Sequence, residues 1–168
     1  MTRLFSFAAL AVAGALLLAA CGGSSTSGGS SAPSYGAPAT TKAPSSAPST
    51  SVVSTQKGSL GTFLVDANGR ALYLWDADHG AMSTCSGECA QGWPPLTTTG
   101  TPKATGGVKA SLLGTTKRAD GSREVTYAGH PLYTFAGDTK AGQTTGQGSS
   151  AFGAPWWIVT PGGAALQH

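Results

Sequence analysis

The sequence predicts a small, compact all-β domain built from two β-hairpin or meander repeats that are related by a pseudo-twofold axis. Three observations support this fold class. Short apolar runs alternate with Gly-containing turn signals, of which Asn68-Gly69 and Asp120-Gly121 are the clearest. Gly and Pro, 25 and 10 of the 168 residues, are too dense for long helices. Finally, a group of residues recurs after sixty positions.

The first predicted hairpin joins residues 62–65 to residues 71–75. Asn68-Gly69 lies between these two apolar runs, and Asn-Gly in that position is the strongest short-range hairpin signal because both residues tolerate positive φ. A later region predicts a three-stranded meander over residues 112–117, 123–127 and 131–135. A last strand is expected over residues 156–160.

The internal repeat defines the architecture. Val65 matches Val125, and a Trp follows a Gly-rich loop in each half, at Trp93 and at Trp156. The other matches are Gly69, Leu72, Tyr73, Trp75 and Asp78 with Gly129, Leu132, Tyr133, Phe135 and Asp138. Because a single hairpin is marginally stable, two such units are expected to share one aromatic core.

The N-terminal residues are typical of an export signal. Arg3 precedes an apolar run from Leu4 to Leu18, which is shorter than the roughly 20 residues that a membrane-spanning helix needs. Leu18-Ala19-Ala20-Cys21 resembles the lipobox of bacterial lipoproteins, in which the Cys is diacylated. Residues 1–20 are therefore expected to be a lipoprotein signal peptide, and Cys21 the site of lipidation. Two or more acyl chains would hold the protein stably on a bilayer.

Composition divides the rest of the chain. Residues 21–57 are almost entirely Gly, Ser, Thr, Ala and Pro and are expected to form a disordered tether. Residues 58–162 contain all four Trp and are expected to fold as the two-repeat domain, with repeat 1 at about 60–97 and repeat 2 at about 112–161. Residues 163–168 are expected to be a frayed C-terminus.

The repeated motif also carries a family resemblance. Tyr-x-[Phe/Trp/Tyr]-x-x-Asp occurs at 73–78 and 133–138, together with Cys85-Ser86-Gly87-Glu88-Cys89, Trp93-Pro94-Pro95-Leu96 and a Gly-rich segment at 142–148. This arrangement resembles the secreted-repeat bacterial lipoprotein family of unknown function. The resemblance implies an extracytoplasmic lipoprotein and implies no activity, substrate or cofactor.

Two interpretations of the motif aromatics are open. Tyr73 and Trp75 lie two residues apart on a strand and share a face, as do Tyr133 and Phe135. They either pack in a core or form a stacking platform for a sugar or quinone ring. The motif acids, Asp78 and Asp138, are expected to accept backbone N–H bonds where a strand ends.

The cysteines suggest a disulfide. With Cys21 lipidated, Cys85 and Cys89 remain, and a close pair outside the cytoplasm is normally oxidised. The alternative is a copper site formed by these two residues with His79 and Met82. If the cysteines are oxidised, two ligands remain, so no metal and no cofactor are expected. Asp76 and Asp78 could hold Ca²⁺ with backbone oxygens, but the EF-hand spacing is absent.

These features favour a membrane-anchored extracytoplasmic lipoprotein that is a non-catalytic binding or structural module of the cell envelope. The alternative function is a redox or copper-handling accessory lipoprotein. No Gly-x-Ser-x-Gly, His-Glu-x-x-His or phosphate-binding glycine loop is present, so an enzyme is not expected. Within residues 58–162, charges are few and nearly balanced, which argues against nucleic-acid binding. The expected partners are the membrane, through the lipid, and an envelope glycan or protein.

Overall fold

The computed structural model describes residues 49–167. The expected signal peptide, Cys21 and most of the expected tether lie outside these residues. No helix in the part of the chain that the structure describes has the length and apolar character needed to cross a membrane.

The described residues form an almost entirely β domain, as predicted. The elements in chain order are β1 Val52–Gly58, β2 Gly61–Val65, β3 Tyr73–Trp75, α1 Glu88–Gly92, β4 Lys103–Ala104, a 3₁₀ turn Ala110–Leu112, β5 Leu113–Lys117, β6 Arg123–Tyr127, β7 His130–Pro131, a 3₁₀ turn Ala151–Gly153 and β8 Trp156–Ile158.

Three small sheets contain these strands, in the orders β2-β1-β4, β3-β8 and β5-β6-β7. All pairings are antiparallel except β1 with β4, which is parallel. The predicted meander is present as β5-β6-β7, although β7 is shorter than expected. The turn before β7 places Ala128 at φ 49° and Gly129 at φ 83°, the two positive angles of a type I′ hairpin turn.

The first predicted hairpin is only partly correct. Its turn forms, with Gly69 at φ 75°, and its two sides meet at the Val65–Ala71 bridge. Beyond that bridge the second side leaves β2, and β3 pairs with β8 from the other end of the chain. The Asn68-Gly69 signal therefore predicted where the chain reverses direction, but it did not predict that β3 pairs with β8.

The folded domain extends beyond both expected boundaries. Strand β1 begins at Val52, inside the expected tether, because Val53 is fully buried and the first two residues of the strand pair with β4. The rest of the strand, Ser54–Gly58, pairs with β2. At the other end, expected to fray, the backbone N–H of Leu166 donates to Ile158 O at 2.8 Å. The side chain of Leu166 is also buried. Both segments are thus held by backbone pairing and by one apolar anchor each.

The two repeats exchange their last segments. Leu96, which follows Trp93 in repeat 1, donates its N–H to Leu132 O and accepts from Val125 N, both at 2.8 Å, in repeat 2. Val159, which follows Trp156 in repeat 2, completes the reciprocal arrangement in repeat 1. Its N–H donates to Leu72 O at 3.0 Å, and its O accepts from Leu64 N at 2.9 Å.

This hydrogen-bond pattern corrects the sequence alignment of the repeats by one residue. Leu64 bonds to Leu72 as Val125 bonds to Leu132, since each pair joins through one N–H···O contact, at 2.9 and 3.0 Å. Val125 is therefore equivalent to Leu64, and not to Val65 as the sixty-residue spacing suggested. The first repeat has one more residue in its turn.

Candidate functional site

The two motif tyrosines meet at the centre of the domain. The N–H of Tyr73 donates to Tyr133 O at 2.8 Å, and the N–H of Tyr133 donates to Tyr73 O at 2.9 Å. This isolated antiparallel bridge joins two equivalent residues and so marks the pseudo-twofold axis. Both side chains are completely buried.

Each tyrosine also bonds to the motif acid of the other repeat. The hydroxyl of Tyr73 donates to Asp138 Oδ2 at 2.6 Å, and that of Tyr133 donates to Asp78 Oδ2 at 2.6 Å. Burial, with the adjacent carboxylates, raises the pKa of both phenols well above the usual value. The phenols therefore stay protonated and act as donors. The motif links the two repeats through these reciprocal bonds.

A threonine in each repeat completes the bonding of the acid. Asp78 Oδ1 accepts from the N–H and the hydroxyl of Thr84, both at 2.7 Å. Asp138 Oδ1 accepts from the N–H of Thr145 at 2.9 Å and from its hydroxyl at 2.6 Å. Backbone N–H partners were expected for both acids and are present, whereas the cross-repeat tyrosines and the threonine hydroxyls were not expected. The recurrence of Thr six or seven residues after each Asp was the available signal.

Four aromatic rings stack through the axis. Trp93 and Trp156, the equivalent Trp residues of the two repeats, lie parallel at 3.9 Å between centroids. Trp75 stacks on the outer face of Trp156 at 5.0 Å, and Phe135 lies against Trp93 at 4.4 Å. Each motif aromatic therefore packs on the Trp of the other repeat.

The tyrosines close this stack from the sides. Tyr73 meets Trp93 edge-on at 5.3 Å, and Tyr133 meets Trp156 edge-on at 5.2 Å. Edge-to-face contacts of this kind add to the stabilisation from burial. Because the stacked faces are already occupied inside the core, the geometry supports the core-packing interpretation of the motif over the stacking platform.

A buried ion pair of the second repeat extends the network to two residues of the first repeat. Arg118 Nη1 donates to Glu124 Oε2 at 2.7 Å and also contacts Ser83 Oγ, while Nη2 donates to Cys85 O at 2.5 Å. Ser83 Oγ lies 2.7 Å from the hydroxyl of Tyr133. The ion pair is thereby connected to one motif tyrosine. No sequence pattern identified Arg118 or Glu124.

Glu124 has one carboxylate oxygen that is not satisfied by this network. Its side chain is completely buried, and its Oε1 has no hydrogen-bond partner among residues 49–167. Burial raises the pKa of this carboxyl to about 7, although the bond and the charge of Arg118 act in the opposite direction. Glu124 therefore titrates near neutral pH.

The predicted disulfide is present. Cys85 and Cys89 are bonded with their Cα atoms 5.3 Å apart, and both are buried. The two sulfurs are therefore not available as thiolates, and His79 and Met82 lie exposed in the preceding loop. In residues 49–167, no three His, Cys, Asp or Glu side chains converge as metal ligands.

The residues considered for calcium have other partners. Both oxygens of Asp78 are bonded as described above, and Asp76 Oδ2 accepts from Trp157 Nε1 at 2.9 Å. Cys21, the expected lipidation site, lies outside the described residues. The structure thus brings the motif residues together and leaves His79 and Met82 out of that cluster.

A family model described as a secreted repeat of unknown function matches residues 54–97 and 114–160. The two matches correspond to the two repeats of the structure. No curated protein matches the chain, and no solved structure does.

Proposed function

We propose that this chain, which belongs to the family of secreted repeats of unknown function, is a lipid-anchored protein of the extracytoplasmic membrane face. Its β domain would be a non-catalytic binding or structural module of the cell envelope. The family supports export, and the sequence around Cys21 supports the anchor.

One observation carries the non-catalytic part of this proposal: the polar groups of the family motif bond to one another inside the core. A general acid, base or nucleophile must reach the substrate. The hydroxyls of Tyr73 and Tyr133 instead lie buried on Asp138 and Asp78 at 2.6 Å. We therefore assign the motif a structural role and assign the binding function to the surface of the β domain.

Binding to the envelope can be tested with the full chain. Purified protein in neutral detergent should co-sediment with envelopes whose lipid has been extracted with the same detergent, so that the acyl chains cannot account for binding. The bound fraction should saturate as protein is added. The same protein should release no product from those envelopes. Reproducible turnover that is lost on a point mutation would contradict a non-catalytic module.

The anchor can be tested separately through Cys21. Cells fed a fatty-acid analogue should label the wild-type protein, and the wild type should remain with the membrane fraction. Cys21→Ser should carry no label and should be released or left unprocessed. Equal labelling of the two proteins would show that Cys21 is not the lipidated residue.

A further inference from the structure

Burial makes the surface of this domain more basic than its sequence suggests. Residues 49–167 contain seven acidic and eight basic residues. Four of the acids are buried, namely Asp66, Asp78, Glu124 and Asp138, whereas Arg118 is the buried base. Seven cations and three carboxylates therefore face solvent. The nearly balanced charge of the sequence thus conceals a cationic surface, which favours anionic partners.

Two clefts divide one face of this surface. One has a volume of about 480 Å³ and the other about 310 Å³, and both are lined by Ser49 and Thr97. The two clefts adjoin at these residues, where Ser51 Oγ donates to Thr97 O at 2.6 Å. We call the two clefts together the Ser49 groove. Volumes in this range are typical of ligand sites.

Each cleft contains one arginine. Arg123 lines the larger cleft and Arg70 the smaller. Exposed Ser49, Thr97 and Thr99 add hydroxyl groups. Arginine is the residue best suited to carboxylate and phosphate groups, while hydroxyls suit a hydroxylated ligand. Because the two arginines line different clefts, they fit a chain that carries anionic groups at intervals.

Two acidic residues lie in or beside the groove, where a carboxylate would oppose an anionic ligand. Asp66 lines the smaller cleft, but it is buried, and Arg70 contacts its Oδ2 through both Nε and Nη2 at 3.0 Å. The charge of Arg70 is therefore already paired, and Arg123 is the main candidate to bind an anion. Asp120 is exposed beside Gly121 of the larger cleft, and its pKa is lowered by hydrogen bonds from Ser122. Asp120 therefore stays charged and should oppose an anion there.

We propose that the Ser49 groove binds an anionic glycan of the cell envelope, a sugar polymer that carries carboxylate or phosphate groups. This inference rests on the proposed function and names the ligand class for it. A membrane surface fits less well, because the groove is concave and hydroxyl-lined. Among residues 49–167, the exposed large apolar side chains are Met82 and Phe152, and both lie outside its lining.

Fluorescence anisotropy of the full chain in neutral detergent tests the assignment. The probes are labelled oligogalacturonate and labelled phosphorylated dextran, with unmodified dextran as the neutral control. At least one anionic probe should bind, more weakly as salt is added, and neutral dextran should not. Binding of neither anionic probe, or equal binding of dextran, would overturn the proposal.

Substitutions of opposite sign locate the site. Arg123→Gln removes an exposed cation and should weaken binding about ten-fold, the effect of losing one bond to a charged group. Asp120→Asn keeps a side chain that can cap the same turn and should tighten binding by about two-fold. Lys57→Gln removes a cation of the β1–β2 hairpin outside the groove and should change little.

The remaining outcomes are also decisive. Equal weakening by Arg123→Gln and Lys57→Gln would mean general charge attraction and would refute the groove. Binding to phosphatidylglycerol vesicles that is weakened by Arg123→Gln, without binding to either anionic probe, would assign the surface to lipid, since the acyl chains on Cys21 bind vesicles equally in both proteins. If Arg123→Gln loses the probes while still co-sedimenting with envelopes, the groove binds glycan but does not account for envelope binding. Loss of envelope binding by the wild type would instead refute the proposed function.

Discussion

Gly58 and Phe63 in the first repeat occupy the positions that Arg118 and Glu124 occupy in the second. The strand registers show this. Phe63 precedes Leu64 on β2 as Glu124 precedes Val125 on β6, and Gly58 and Arg118 each follow a Lys that pairs with the residue before Phe63 or Glu124. A Cβ on Gly58 would lie 2.9 Å from the Phe63 ring. The glycine therefore makes room for an aromatic ring, whereas the second repeat fills the same place with an ion pair.

This difference shows which part of the repeat is required for the fold and which part can vary. The Tyr–Asp–Thr bonds are the same in both halves to within 0.2 Å for the hydrogen bonds to Asp78 and Asp138. At the neighbouring position, the first repeat has the packed ring of Phe63 and the second repeat has the Arg118–Glu124 ion pair. Replacing a buried ion pair by packed apolar groups is often neutral or stabilising, so stability alone does not explain why Arg118 and Glu124 are present.

The largest expected effect tests the shared element. Tyr73→Ala and Tyr133→Ala should each cost about 3–5 kcal/mol, the range for removing a large buried aromatic. A domain of this size has about 5–15 kcal/mol in total. Either variant should therefore melt far below the wild type or fail to accumulate, and the two should behave alike.

Thermal melts measure this prediction, with Met82→Ala as the control because Met82 is exposed. The control should change stability by no more than about 0.5 kcal/mol. If both tyrosine variants melt within about 2 °C of wild type, a shift worth well under 1 kcal/mol, the shared core is refuted.

The second prediction isolates the ion pair. The pKa of Glu124 rises from 4.5 to about 7 on folding, so the folded protein retains a proton that the unfolded chain has released between these pH values. Stability from this group is therefore fully present below pH 4.5 and is lost as the pH rises to 7. The loss should be about 3 kcal/mol.

Glu124→Gln removes this titration and keeps the shape of the side chain. The stability difference between wild type and variant, measured by urea unfolding, should therefore change by about 3 kcal/mol in favour of the variant from pH 4.5 to pH 7. Glu88→Gln, an exposed carboxylate on α1, should show no such change. A constant difference across this range would mean that Glu124 is ionised throughout in the folded protein.

The comparison of the repeats also shows what sequence could and could not predict. Turns were predictable because Gly129 and Gly121 have positive φ, 83° and 85°, a local requirement that favours glycine. The exchange of Leu96 and Val159 between repeats was not predictable, since it depends on contacts between distant segments. Pairing of β3 with β8 was missed for the same reason.

Composition misled the sequence analysis at two places. Ser and Thr dominate the residues before β1, so Val53 was assigned to the expected tether even though it is buried. Arg118, in the turn after β5, and Glu124, on β6, were overlooked because charged residues are normally exposed. In contrast, the motif residues were identified by their recurrence, although their partners in the opposite repeat could not be.

The smallest expected effect compares the two tyrosine hydroxyls directly. Tyr73→Phe leaves Asp138 Oδ2 without its donor, and Tyr133→Phe does the same to Asp78 Oδ2. An unsatisfied buried acceptor costs about 1–3 kcal/mol, so both variants should fold with lower stability. The cost should differ between them, because Tyr133 also lies 2.7 Å from Ser83 Oγ in the ion-pair network.

Tyr133→Phe should therefore be less stable than Tyr73→Phe by about 1 kcal/mol, the net value of one hydrogen bond. Urea unfolding at pH 7 measures the difference, and Tyr127→Phe provides a control for removing a hydroxyl elsewhere, where it donates to Pro161 O. In a Ser83→Ala background, Tyr133→Phe should lower stability by an amount close to that of Tyr73→Phe in the wild type. The reason is that the hydroxyl of Tyr133 no longer has Ser83 Oγ as a second partner. If the two single variants are equally stable, the Tyr133–Ser83 contact contributes nothing, and the two repeats are energetically symmetric at their centre despite the ion pair.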